Sequence, residues 1–288
     1  MAIALPAGTL ARGRVRLLSL PKTSPMLMNW AAVSLVFVVT FVALAVPLIS
    51  PDDPLVPAGM PLQAPGKGGF LLGTDAIGRD ILSRVLYGVR TSWFAALVVV
   101  AVGLLFGGLV GLIAGAAGGW IDSLLMRITD GFLSLPAPVL AIAVVAALGP
   151  GFVHTLIAVS IVWWPFYARL VRGEVARLAA RPHIEAARLA GVGPIRLATR
   201  HLLPGAVPNS LVAASLDIGT LILTLAALSF LGLGQAAPAP ELGADTARNL
   251  TYFLQQWWVP VMPGLAVLVL ALAANIAGDG LRNLMKTS

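Results

Sequence analysis

The 288-residue chain contains no cysteine. A disulfide framework, a cysteine-ligated zinc site and a thiol nucleophile are therefore excluded. Charge is scarce too: 11% of residues are Asp, Glu, Lys or Arg, against about a quarter in soluble domains. The three histidines, His154, His183 and His201, form no H-E-x-x-H pattern, which gives a metal site little support. No G-x-x-x-x-G-K-[ST] stretch occurs either, and Gly66-Lys67-Gly68 lacks that context. The chain thus has no P-loop with which to cradle nucleotide phosphates.

Apolar residues are what the sequence has in excess: 58% are hydrophobic and the mean hydropathy is +0.92. So few ionisable groups cannot cover the surface of a water-soluble globule, and the remaining class is a polytopic membrane protein. The net charge of +7 and pI near 10.8 would suit nucleic acid only if the basic residues formed one face of a soluble domain. Here they fall between apolar runs, so membrane lipid is the expected neighbour and nucleic acid is not.

Six apolar runs stand out, at roughly 30–49, 91–117, 128–148, 153–170, 207–233 and 259–278. Each is near or above the length needed to cross about 30 Å of hydrocarbon. Only helices satisfy their own backbone hydrogen bonds in lipid, and no ten-residue alternation suggests a barrel. The expected fold is all-α with about six transmembrane helices. The first run follows Arg12, Arg14, Arg16 and Lys22 and exceeds the apolar region of a signal peptide, so it is read as a retained helix. Gly107, Gly111 and Gly115 recur every four residues, the spacing of a close helix contact.

Orientation follows from the basic residues. With the N-terminus inside, fourteen of the nineteen Lys and Arg face one side, seven of them between Arg169 and Arg200. This asymmetry predicts both termini in the cytoplasm of a bacterial cell, with the chain multi-pass in the inner (plasma) membrane. The organisation expected is a cytoplasmic segment over 1–29, a first transmembrane helix over 30–49 and an extracytoplasmic loop over 50–90. A five-helix core over 91–280 follows, interrupted by a cytoplasmic loop at 171–206, and a cytoplasmic tail over 281–288. The seven tryptophans all fall near span ends and read as an interfacial belt.

The 171–206 loop is the most informative segment. Pro182 suits the first position of a helix and Gly191 the position just past its end, which predicts a short helix over 182–190. A second start at Pro194 predicts another short helix running to Leu203, the two forming a compact knob. Glu185 and Arg188 lie one turn apart beside Ala186, Ala187 and Ala190, so another protein could approach the backbone closely. A solvated helix beside anionic headgroups fits the same pattern. Asp217 is the one acid lying deep in a span, where it either lines a path or makes an interhelical hydrogen bond.

Glu185-Ala186-Ala187, then Gly191, then Leu203-Pro204 resembles the EAA loop of ABC importer permeases, and His201 resembles the peptide-importer branch. The resemblance extends over about residues 70–283. It takes in Leu72-Gly-Thr-Asp75, Gly78-Arg-Asp80, Ser83-Arg84, Gly118-Gly-Trp-Ile-Asp122, Trp164-Pro165 and Asn275 to Arg282. The chain looks like the second ("C") permease of the dipeptide, oligopeptide, glutathione and nickel importers. That resemblance implies a type I ABC importer permease fold and a non-catalytic subunit passing di- or oligopeptides, or alternatively glutathione or nickel. It implies that Glu185, Ala186, Ala187, Arg188, Gly191, His201, Leu203 and Pro204 dock an ATPase. It further implies a homologous permease partner, two cytoplasmic ATPase subunits that hold ATP and Mg, and an extracytoplasmic solute-binding protein, with no cofactor or metal on this chain. Departures are Leu225 where the branch often has Glu, Asp217 where relatives are usually neutral, and Asn283 and Met285-Lys286 in place of an acidic ending. The rivals from other classes are a membrane-embedded enzyme and an ion-coupled carrier; the latter would usually show several intramembrane acids or histidines.

Overall fold

The computed structural model describes residues 25–287, so most of the 1–29 segment, with its four basic residues, lies outside the described residues. Those described fold into helices joined by loops, with one isolated bridge, Thr74 to Asp80, and no strand. The long helices are α1 (Pro25–Ile49), α2 (Ile81–Ala117), α5 (Phe152–Ala179), α7 (Pro194–Phe230) and α9 (Trp258–Thr287). Each is long and apolar enough to span a bilayer. Shorter helices are α3 (Gly119–Leu133), α4 (Ala137–Leu148), α6 (Pro182–Leu189) and α8 (Leu242–Arg248).

Several boundaries differ from the sequence-based ones. Asp80 caps α2 by accepting from Leu82 N and Ser83 N, which starts that helix ten residues before position 91 and shortens the expected 50–90 loop to 50–80. The expected 128–148 span is two helices, α3 and α4, bent by 85°. The break falls at Ser134–Pro136, where Pro136 cannot donate a backbone hydrogen bond and its ring disfavours helical backbone at the residue before it. Helix α5 continues past the apolar run to Ala179, and α7 begins at Pro194, so the 171–206 loop shrinks to 180–193. The second half of the expected knob is therefore the first turns of a membrane helix. Helix α9 runs through the 281–287 tail.

The core packs α7 against α9, α1 against α9, and the second half of α2 against α5. The spacing read as a glycine seam is one. A Cβ on Gly111 would collide with the backbone of Ala168 and Arg172, and one on Gly115 would sit 2.8 Å from Val175 Cγ1. Just before this seam, Gly103–Gly107 forms a π-helical turn, and a second one occupies Ala198–Leu202 ahead of Pro204. The tryptophan belt holds only in part. Trp30, Trp120 and Trp257 are exposed, but Trp93 is fully buried and donates to Thr40 Oγ1 on α1 at 3.0 Å, and Trp164 is buried too.

At the end of the bundle carrying residues 50–80, a buried ion pair joins distant segments. Arg84 of α2 makes a two-pronged contact with Asp245 of α8, at 2.6 and 3.1 Å. The same guanidinium donates to the carbonyls of Pro54 and Pro238. Asp75 in turn holds Arg79 at 2.7 Å. Burying such a pair is tolerable only with this full set of partners.

Candidate functional site

Helix α6 has one fully buried side chain, with Ala187 packed beside it. Ile184 is fully buried and joins Val171, Val175 and Leu178 of α5 and Leu197, Leu202 and Ala206 of α7 in a small apolar cluster. Burying an isoleucine stabilises by about 1.5–3 kcal/mol, enough to seat an eight-residue helix that would not form alone. With Pro182 at the N-terminus and Ile184 facing in, Glu185, Ala186 and Arg188 are exposed and Ala187 is half-buried.

Helix α6 ends as its glycine requires. Gly191 has φ +80°, a conformation costly for any residue with a Cβ. Its N–H donates to Arg188 O at 3.0 Å, and Val192 N–H reaches back to Ala187 O at 3.1 Å. These two bonds are the Schellman closure, and half-buried Val192 and Ala187 supply its apolar contact. On either side of this turn an aliphatic side chain faces solvent: Leu189 is 86% exposed and Ile195 80%. Sequence reasoning passed over both. Their signal was available, since Leu189 lies four residues after Glu185 and so shares its face.

His201, Leu203 and Pro204 do not lie on α6. They are exposed positions on α7, in and just after its π-turn, and Leu203 also lines an apolar cavity of about 350 Å³ with Leu104, Leu112 and Val171. The structure thus groups Glu185, Ala186, Ala187, Arg188 and Gly191 as one element and places the other three on the helix that follows.

Two ion pairs tie the broken span to α5. Arg172 grips Asp122 through two bonds of 2.6 and 3.0 Å, and Arg169 meets Asp130 at 2.6 Å. Asp130 and its partner are more than half exposed, so that bond contributes little. Asp279 pairs with Arg282 one turn on.

Asp217 sits partway along α7, half-buried. Both Trp163 Nε1–H and Tyr167 O–H of α5 donate to its Oδ2, the tyrosine at 3.0 Å. The acid therefore has the interhelical partners of a structural residue. Leu225, two turns beyond it, is buried in the core.

Residues 107–286 match the family described as "Binding-protein-dependent transport system inner membrane component". The Di/tripeptide transport system permease protein DppC of Pseudomonas aeruginosa is 42% identical over 251 residues, covering 85% of this chain and 83% of the relative. The Glutathione transport system permease protein GsiD of Pectobacterium atrosepticum is 43% identical over 212 residues, covering 74% and 70%. Among solved structures, the inward-facing MetNI methionine ABC transporter superposes with a TM-score of 0.56 at 22% identity, covering 71% of this chain and 96% of that one. The likeness to MetNI concerns the fold alone, and it agrees with the all-α importer permease fold expected from the sequence. Permeases of this family work with another permease, ATPases and a binding protein, so the chemistry of ATP belongs to other subunits. With a match over more than half its length and relatives of this coverage, the chain is a multi-pass inner-membrane permease subunit of the binding-protein-dependent transport system family.

Proposed function

We propose that the chain passes short peptides across the bacterial inner membrane as one of two homologous permease subunits enclosing a single path. The names of the relatives at 42–43% identity support peptides as the solute class, glutathione among them. On this reading both termini are cytoplasmic, an extracytoplasmic binding protein delivers the solute, and two ATPase subunits holding ATP and Mg bind from inside. Two discrete packings of the same helices then expose the path to either side in turn.

The observation that carries the proposal is α6 itself. A short helix pinned by Ile184 and closed by Gly191 displays Glu185, Arg188 and Leu189 outward, with small alanines between them, and Ile195 at the start of α7 adds a second exposed aliphatic side chain nearby in sequence. Apolar side chains this exposed, rimmed by charge, suit a protein surface better than headgroups. Helix α6 would be the coupling element, transmitting ATPase closure to α5 and α7 through the Ile184 cluster. His201, Leu203 and Pro204 would act from the base of α7.

Co-expression of the partner subunits with Glu185→Lys tests this. Charge reversal at a docking contact is expected to reduce ATPase recovery on a tagged permease about tenfold while membrane insertion stays intact. Normal recovery together with normal uptake would refute the docking role of α6.

A further inference from the structure

Four arginines serve the end of the bundle carrying residues 50–80, and three are ion-paired within the chain: Arg79 with Asp75, and Arg84 and Arg248 with the shared carboxylate of Asp245. Arg90 is not. Half-buried on α2, it makes no hydrogen bond or ion pair among the described residues. It lines a cavity of about 320 Å³ with Tyr87, Thr91, Phe94, Phe152 and Gln235. The α2 members fall at i, i+3, i+4 and i+7, so they form one stripe of that helix. The Tyr87 hydroxyl and the Gln235 side-chain amide are likewise without partners among the described residues, although Tyr87 O accepts from Thr91 Oγ1 and Gln235 O from Arg248. Three hydrogen-bond donors, one of them a guanidinium fork, thus border one concave space with aromatic walls.

This donor set matches a carboxylate. A guanidinium engages both oxygens in two parallel bonds, leaving lone pairs for a hydroxyl and an amide. Tyr87 also borders a second cavity of about 520 Å³, which carries Asp52 and Asp53. Charges of opposite sign therefore flank one tyrosine, an arrangement complementary to a zwitterion. We infer that Arg90, with Tyr87 and Gln235, receives the free carboxylate of the transported peptide at the outer mouth of the path. The inference rests on the peptide-permease reading and on the orientation given with it.

The test uses the whole importer, with both permeases, the ATPases and the binding protein, in proteoliposomes. Two measurements are made: initial uptake of a labelled dipeptide, and photo-crosslinking by a dipeptide whose C-terminal residue is benzoylphenylalanine. Arg90→Gln is expected to lower uptake about tenfold, as loss of a charged hydrogen bond would, and to abolish crosslinking to the Tyr87–Phe94 segment. Arg90→Lys should restore both in part, and the yield of partner subunits should not change. Unaltered uptake and crosslinking in Arg90→Gln would overturn the site. So would loss of the partner permease from the purified complex, which would make Arg90 an intersubunit contact. A defect that appears only in vesicles containing phosphatidylglycerol, not in phosphatidylcholine alone, with crosslinking retained, would assign Arg90 to lipid headgroups. If the wild-type importer takes up no peptide at all, the parent reading fails and this site with it.

Discussion

Replacing Gly111 with alanine adds one methyl group at the tightest part of the α2–α5 seam. The new Cβ would lie 2.8 Å from Arg172 N, inside the 3.4 Å at which ordinary contact begins, and closer still to the Ala168 carbonyl oxygen. Both obstacles are backbone, so no rotamer change relieves them, and the helices must part by more than half an ångström. A gap of 0.5–1 Å forfeits roughly a quarter to a half of each van der Waals contact across the seam. For tightly packed interiors such overpacking costs about 1–3 kcal/mol. Replacing glycine within a helix returns up to about 1 kcal/mol, leaving a net loss of about 1–2 kcal/mol. Gly108 is the internal control: it lies one turn earlier on the same helix, and its added Cβ would meet only Val171 Cγ2, at a comfortable 3.8 Å. Thermal melts of the purified complex should show Gly111→Ala lower by about 3–6 °C, with Gly108→Ala unchanged or higher. If the two variants melt together, close packing at this seam is not what holds α2 to α5.

Asp217→Asn keeps an oxygen that can accept from Trp163 and Tyr167, so complex yield should stay near wild type; reduced uptake of cationic or free-amino peptides would place the carboxylate in the path, and unchanged uptake would leave it a packing residue. Glu241 caps α8 from a buried position with no basic partner among the described residues, and that burial holds its carboxyl above the usual range despite bonds from Ala244 N–H and Ser229. The folded protein therefore keeps a proton that the unfolded chain has lost just above the ordinary carboxylate pKa. The stability this confers is complete below that value and is lost as pH rises through the elevated one. Wild-type melting temperature should accordingly fall between pH 5 and pH 8 more than that of Glu241→Gln; equal falls would dismiss Glu241 as the source. The native chain lacks cysteine, so Lys67→Cys and Leu189→Cys can report topology directly. Both positions are exposed; the first should react with an impermeant maleimide on intact cells, the second only after permeabilisation, and the reverse pattern would invert the orientation.

Local signals carried much of the fold into the sequence. Pro182 and Gly191 mark α6 because their backbone restrictions act within a few residues, and the glycine seam is legible because its spacing equals one helical turn. Hydropathy located the spans but not the ends of the helices, since α5 keeps its helical backbone after its composition turns basic at Arg169. It also concealed the 85° bend at Pro136, where apolar residues continue on both sides. Position along a span says nothing about which way a side chain faces, so Trp93 read as interfacial although it lies in the core. Arg84 and Asp245 stand 161 residues apart, and no local pattern announces their pairing. In the candidate site, the positions proposed for docking were readable from the motif. The Ile184 anchor and the exposed Leu189 and Ile195 became apparent only once the helix had a buried side.

The π-helical turn at Gly103–Gly107 bears on how this chain tolerates changes in length. Such a turn absorbs one extra residue while the helix on either side keeps the facing it would have without it. Removing a residue from an ordinary stretch of α2 would swing everything beyond it by about 100°, carrying the glycines off α5. Removing one inside the turn, such as the outward-facing Leu105, would instead leave plain α-helix with both halves still aimed at their neighbours. The span thus contains a single place where its residue count and its packing are independent, and an alignment of such permeases should open its one-residue gaps there.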